Sequence, residues 1–350
     1  MKYKINHSNY STLKQKQYYL GLSILKVLLA FDVIRTHNFK YTSTTNKFIL
    51  FCMRNRRIHV PSFFIMSFYF MHNELIMLNF NKFIKRIERL LIPYLIWPIT
   101  IWIINNIFNI LFSSNFSSSF KSLKNQILWG NVFIIQFWFQ WDLISLTILF
   151  NIFLFIFRRN YILIFNLLSL LSYILQYSGY NKKFYFKLRR EKRQCLGRFN
   201  EVLPYAVTGF TLSSFKIINK LQNYKVNTLI FSLFIYVFIE KYDIFSKING
   251  VAYAGVKLNI SSICIILLFS LTLCENNLNK FIIKLLRHLT NYTAGVFYLH
   301  WTIITYLKKH LLIIKKGCFS GCVIIYLICY LISLFGMKLF GKTKLKNLFS

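Results

Sequence analysis

The chain has 350 residues, 56% of them hydrophobic and 19% aromatic, with a mean hydropathy of +0.47. Soluble domains lie nearer about 45–50% apolar, so a water-soluble globular protein is excluded. The 44 Lys and Arg stand against 9 Asp and Glu, a formal charge of +35. These cations form short clusters between long apolar runs. That pattern excludes nucleic acid as the partner and places them at membrane lipid headgroups, where each gains about 1 kcal/mol from anionic lipid.

Residues 1–19 are polar. The first apolar stretch, Leu20 to His37, is followed by no small-residue cleavage site, so it reads as an uncleaved first span rather than a signal peptide. It carries Lys26 and His37. Eleven steps of about 100° return to within about 20° of one helix face, and the two residues lie roughly 16 Å apart along the axis. They share the stripe Lys26–Ala30–Val33–His37, about half a bilayer apart. Ionisable groups inside a membrane helix are costly and are functional candidates for that reason. Asp32 and Arg35, three apart, point away from this stripe and read as a self-neutralised pair. His37 titrates near neutrality and has the chemistry of a general base, although a His at a helix end is also a common structural residue.

Further apolar segments fall near 61–78, 90–113, 137–157, 161–177, 199–215, 226–240, 258–274, 292–313 and 318–336. The fold class is therefore all-α, a polytopic transmembrane helix bundle of about ten spans. The division is a polar segment 1–19, a multi-pass membrane domain 20–337 and a basic tail 338–350. A piece at 127–135 reads as interfacial or re-entrant. The Ser run at 113–119 is a short loop, and the longest polar loop is about 178–198. With the N-terminus set inside, Lys and Arg are almost level on the two sides, so the positive-inside rule leaves orientation open.

Pro61 fits the first turn of the second span, and Pro93 and Pro98 the first turns of the third. Pro204 lies inside the sixth and predicts a kink. The seven cysteines contain no C-x-x-C pair and mostly sit in apolar runs, so they read as small packing residues and no metal site is expected.

Lys82, Lys85, Arg86 and Arg89 recur at i, i+3, i+4 and i+7. They form one basic helix face running into Leu90-Leu91-Ile92-Pro93-Tyr94-Leu95-Ile96-Trp97. One reading is a basic membrane flank with interfacial aromatics. The other is a clamp for a pyrophosphate or phosphorylated nucleotide. Three more motifs follow the same chain order. Val60-Pro61-Ser62-Phe63-Phe64-Ile65-Met66-Ser67 precedes His72 and Glu74. Gln136 to Trp141 and Gly295-Val296-Phe297-Tyr298-Leu299-His300-Trp301 complete the set. Each alone is weak, since aromatics in spans usually pack.

Taken in order, these motifs resemble acyltransferase family 3, multi-pass membrane O-acyltransferases acting mainly on surface carbohydrates. The family opens with a basic residue, usually Arg, then ten positions and a His, as Lys26 and His37 do. Its second span reads like Val60 to Ser67. Its basic cluster and proline–tyrosine helix are matched by Phe83-Ile84-Lys85-Arg86 and Pro93-Tyr94-Leu95-Ile96-Trp97. Trp138-Phe139, Leu171 to Gly179, Leu203-Pro204 with Gly209, and Gly295 to His300 continue the order, so roughly residues 20–335 are covered. Three positions depart: Lys26 and Lys85 stand where Arg is usual, and Phe68 stands where Gly is usual, which would block close helix approach there.

The resemblance implies transfer of an acyl group, acetyl in the first instance, from acyl-CoA to a hydroxyl of a surface carbohydrate or its lipid-linked precursor. No permanently bound cofactor is expected, and the donor is acetyl-CoA or another acyl-CoA. His37 becomes the candidate catalytic residue. Lys26, Lys82, Lys85, Arg86 and Arg89 become candidate ligands of the CoA phosphates. Ser67, Tyr298 and His300 are secondary candidates to orient His37 or an oxyanion. The expected partners are membrane lipids, acyl-CoA, a carbohydrate acceptor and polysaccharide-assembly proteins, without nucleic acid. The expected location is the cell membrane, with a cytoplasmic N-terminus. A polysaccharide exporter of similar architecture and a catalytically degenerate family member are the alternatives. No fused esterase-like domain is expected, so any further transfer step would need another protein.

Overall fold

The computed structural model describes residues 7–39, 58–112, 120–129, 137–178, 190–242, 255–272, 279–312, 314 and 317–348. The chain is all-α, and no strand occurs among the described residues. Its helices are α1 (His7–Asn38), α2 (His59–Ile76), α3 (Phe80–Phe112), α4 (Phe120–Trp129), α5 (Phe137–Ile156), α6 (Tyr161–Tyr177), α7 (Arg190–Ser214), α8 (Ile217–Leu221), α9 (Lys225–Tyr242), α10 (Val256–Thr272), α11 (Lys280–Thr290), α12 (Thr293–His310) and α13 (Phe319–Phe340). Each of the ten expected apolar segments falls on one of these helices. Phe80–Ile107, Phe137–Ile156 and Phe319–Phe340 are long and apolar enough to cross a membrane, and α6 and α10 are shorter apolar helices. The Ser run at 113–119, most of the loop 178–198 and residues 130–135 lie outside the described residues.

Three helices start earlier than the apolar pattern indicates. α7 begins at Arg190, so residues 190–198 of the expected polar loop are helical, a correction to the sequence expectation. α1 runs from His7 through the polar segment into the first span. α3 begins at Phe80, so the basic cluster and the third span form one continuous helix. Pro93 and Pro98 therefore lie inside that helix and not in its first turns, a correction to the sequence expectation. Lys, Arg and Glu are good helix formers and Phe83, Ile84 and Ile87 give the run an apolar side, so Asn81–Arg89 extends the helix.

α2 packs most extensively on α7, and Gly209 makes that approach possible. A Cβ added at Gly209 would run into the backbone of Ile65. Phe68, one turn farther along α2, is fully buried with its ring 4.6 Å from that of Phe150 on α5. The bulky residue thus packs toward α5, while the close helix approach is made at Ile65–Gly209. His72 Nε2 and Ser214 Oγ, 2.6 Å apart, tie the far ends of α2 and α7 together.

Pro204 lacks the N–H that would bond the carbonyl of Asn200. That carbonyl instead accepts from Ser172 Oγ at 2.5 Å and Gln176 Nε2 at 2.8 Å, both on α6. In lipid an unmet carbonyl is expensive, so the proline is compensated by a neighbouring helix. α1 contacts α2, α10, α11, α12 and α13, which places its Lys26–His37 stripe inside the bundle.

Candidate active site

His37, in the last turn of α1, is half-buried. Its ring centroid lies 5.4 Å from that of His300 on α12, with the planes 27° apart, and 5.1 Å from Trp301 in an edge-on arrangement. The backbone carbonyl of His37 accepts from Lys308 Nζ at 3.4 Å. His300 is fully buried, and its Nδ1 lies 2.6 Å from the carbonyl of Phe297. A carbonyl only accepts, so Nδ1 carries the hydrogen and Nε2 presents a lone pair. That Nε2 is buried and has no hydrogen-bond partner among the described residues. A histidine whose tautomer is set in this way can accept a proton or hold a neighbouring N–H or hydroxyl.

Asp32 and Arg35 pair as expected, with Arg35 Nε donating to Asp32 Oδ1 at 2.7 Å. The structure adds His59 of α2, whose Nδ1 lies 3.1 Å from Asp32 Oδ2 and which is 1% exposed. The carboxylate only accepts, so His59 donates from Nδ1. His59 is also within electrostatic reach of both His37 and His300. Three histidines therefore cluster at one end of the bundle. The sequence offered no signal for His59: it stands one residue before the Val60 motif and shares no helix with His37.

Lys26 lies at the other end of the stripe, its Nζ 5.0 Å from the centroid of Phe70. It borders a cavity of about 180 Å³ lined also by Phe63, Ser67, Phe139, Ala294, Phe297 and Tyr298. Lys26, Ser67 and Tyr298, drawn from three separate motifs, thus share one cavity. His37 and His300 lie beyond it, and Phe297 lines the cavity with its ring 5.8 Å from that of His300. The two halves of the site are joined by this phenylalanine.

The basic face of α3 divides. Lys82, Lys85 and Arg89 are exposed, whereas Arg86 turns inward. Arg86 lies within electrostatic reach of Lys26, of Arg89 and of Glu74 on α2. The cationic strip therefore continues from the exposed helix through Arg86 to Lys26 at the cavity. Among the described residues, no group of three or more His, Cys, Asp or Glu is placed to hold a metal ion.

A family model described as an acyltransferase domain matches residues 19–341. The chain belongs to acyltransferase family 3. Neither the curated proteins nor the solved structures include a match to it. This acyltransferase is an integral membrane enzyme, and its matched region spans both the cationic end and the histidine end of α1. Lys26 and Lys85 occupy positions where its family usually has Arg. A lysine keeps the charge and loses the bidentate fork, which Arg86 and Arg89 of the same helix retain.

Proposed function

We propose that this acyltransferase moves an acetyl or related acyl group from acyl-CoA to a carbohydrate hydroxyl, with His37 as general base. The observation that carries the reading is the pairing of His37 with the buried His300, which sits one ring beyond a cavity reached from a cationic helix face. The phosphates of the donor would lie against Lys82, Lys85, Arg86 and Arg89, since an anionic nucleotide needs exactly such a strip of cations. At about 180 Å³ the cavity falls below the roughly 300 Å³ lower end of ordinary small-molecule sites. It suits the arm of the donor beside the thioester and not its nucleotide.

In the proposed step the acceptor oxygen attacks the thioester carbonyl as His37 takes its proton. The C–O bond forms, the C–S bond breaks, and the proton passes from His37 to the departing thiolate. His300 is a positioning residue: its ring stacks on that of His37, and its fixed Nε2 lone pair would accept from the incoming hydroxyl. Lys26, Ser67 and Tyr298 would hold the arm of the donor on the sulfur side of the thioester, whose carbonyl reaches past Phe297 to His37. With the N-terminus cytoplasmic, the donor enters from inside and His37 acts near the outer face of the cell membrane.

The test is transfer from radiolabelled acetyl-CoA to polysaccharide by the purified protein in lipid nanodiscs. The wild type transfers label. His37→Ala inserts normally and loses transfer by about 10²-fold or more, the usual share of a general base. Full transfer by the variant would remove His37 from the mechanism, and glycan export without any need for acyl-CoA would replace the reading by a transporter.

A further inference from the structure

The acceptor needs a place of its own, and the strongest unexplained polar feature of the bundle lies off the histidine site. Asp142 on α5 is 1% exposed, and among the described residues neither of its carboxyl oxygens has a hydrogen-bond partner. Buried polar groups are nearly always paired, and a bare carboxylate inside a membrane bundle is among the costliest exceptions. Arg198 and the buried Glu201, both on α7, lie within electrostatic reach of Asp142. The guanidinium of Arg198 lies 4.9 Å from the ring of Trp138, one turn from Asp142. Gln140 on α5 and Gln176 on α6 each bury a side-chain oxygen without a partner, and Asn200 on α7 buries an amide nitrogen in the same state.

We propose that Asp142, Arg198, Glu201 and Trp138 form the subsite that binds the carbohydrate acceptor. This rests on the reading of the chain as an acyl-CoA-dependent transferase. The chemistry selects the ligand. Both oxygens of the Asp142 carboxyl group lack partners among the described residues, and a sugar supplies several hydroxyls that both donate and accept. The cations that suit the phosphates of CoA lie elsewhere, at Lys26 and along α3, so donor and acceptor occupy different parts of the bundle.

The subsite is linked to the base through touching rings. Trp138 neighbours Phe139 at 6.3 Å, Phe139 lies 5.1 Å from Phe297, Phe297 lies 5.8 Å from His300, and His300 lies 5.4 Å from His37.

The experiment measures KM separately for acetyl-CoA and for polysaccharide extracted from the producing cells, together with acetyl-CoA hydrolysis without polysaccharide. Asp142→Asn keeps size and replaces one carboxyl oxygen by an amide group. It raises the polysaccharide KM about tenfold, the worth of one buried hydrogen bond. KM for acetyl-CoA and the rate of hydrolysis stay within about twofold of wild type, a split that a purely structural role would not produce. Glu201→Gln gives a smaller shift in the same direction and serves if Asp142→Asn fails to fold. An unchanged polysaccharide KM in a folded variant, or equal losses toward both substrates, overturns the proposal. Absence of acetyl-CoA turnover in the wild type would instead refute the transferase reading on which it rests.

Discussion

His300 illustrates how one backbone carbonyl can define the chemistry of a side chain. The hydrogen bond from Nδ1 to Phe297 leaves Nε2 as a buried acceptor on a ring that stacks against a second imidazole. His300→Ala removes that lone pair and the ring beside His37 without touching the cationic strip. The expected outcome is a fall in kcat with little change in the KM for acetyl-CoA, smaller than the loss in His37→Ala. His300→Gln, which keeps a polar acceptor, should recover part of the rate. Steady-state kinetics on the two variants checks this. His37 and His300 were both legible as residue types in motifs. Their pairing was not, because no local pattern relates a residue on α1 to one on α12.

At the scale of the helix, the basic cluster of α3 shows what a periodic pattern leaves open. The spacing i, i+3, i+4, i+7 gathers four cations on one side, yet a stripe of that kind is wide enough for Arg86 to turn inward while Lys82, Lys85 and Arg89 meet solvent. Their contributions should differ accordingly. Lys82→Ala and Lys85→Ala should weaken acetyl-CoA binding modestly, by an amount that shrinks as salt rises, because exposed charges are screened. Arg86→Ala should weaken it more and with less salt dependence. Calorimetric titration at low and high salt distinguishes them, and equal salt slopes would place all four cations in the same environment. The α2–α7 contact makes a second prediction at this scale. Gly209→Ala forces Ile65 away and should cost about 1–3 kcal/mol, read as a lower melting temperature in detergent. The proline on the same helix was predictable as a defect. Its repair by Ser172 and Gln176 was not, since it depends on the neighbour across the groove.

Over the whole molecule, the two ends of α1 divide the work. Lys26 belongs to the cavity beneath the cationic helix and His37 to the histidine cluster, with Phe297 between them. A bulky residue in the cavity wall should separate donor binding from transfer. Ala294→Phe is expected to abolish transfer of label while leaving acetyl-CoA bound at the α3 cations with affinity within about tenfold of wild type, since most of the donor's charge lies outside the cavity. Transfer assays alongside calorimetry would check this, and retained transfer would show that the acyl group travels by another route.

Membrane residence, helical class and the position of each span follow from the sequence alone, because they depend on local quantities: the length of apolar runs and the need to satisfy every backbone group within its own segment. The order of the motifs likewise carried the family and the candidacy of His37. Only the tertiary structure decided that Lys26, Ser67 and Tyr298 share a cavity, that His59 joins Asp32, that Arg86 faces inward and that Asp142 is left without a hydrogen-bond partner among the described residues. The reason is physical. Between helices in lipid the hydrophobic effect no longer distinguishes one apolar face from another, so rotation and pairing are set by close packing and a few polar contacts between residues distant in the chain.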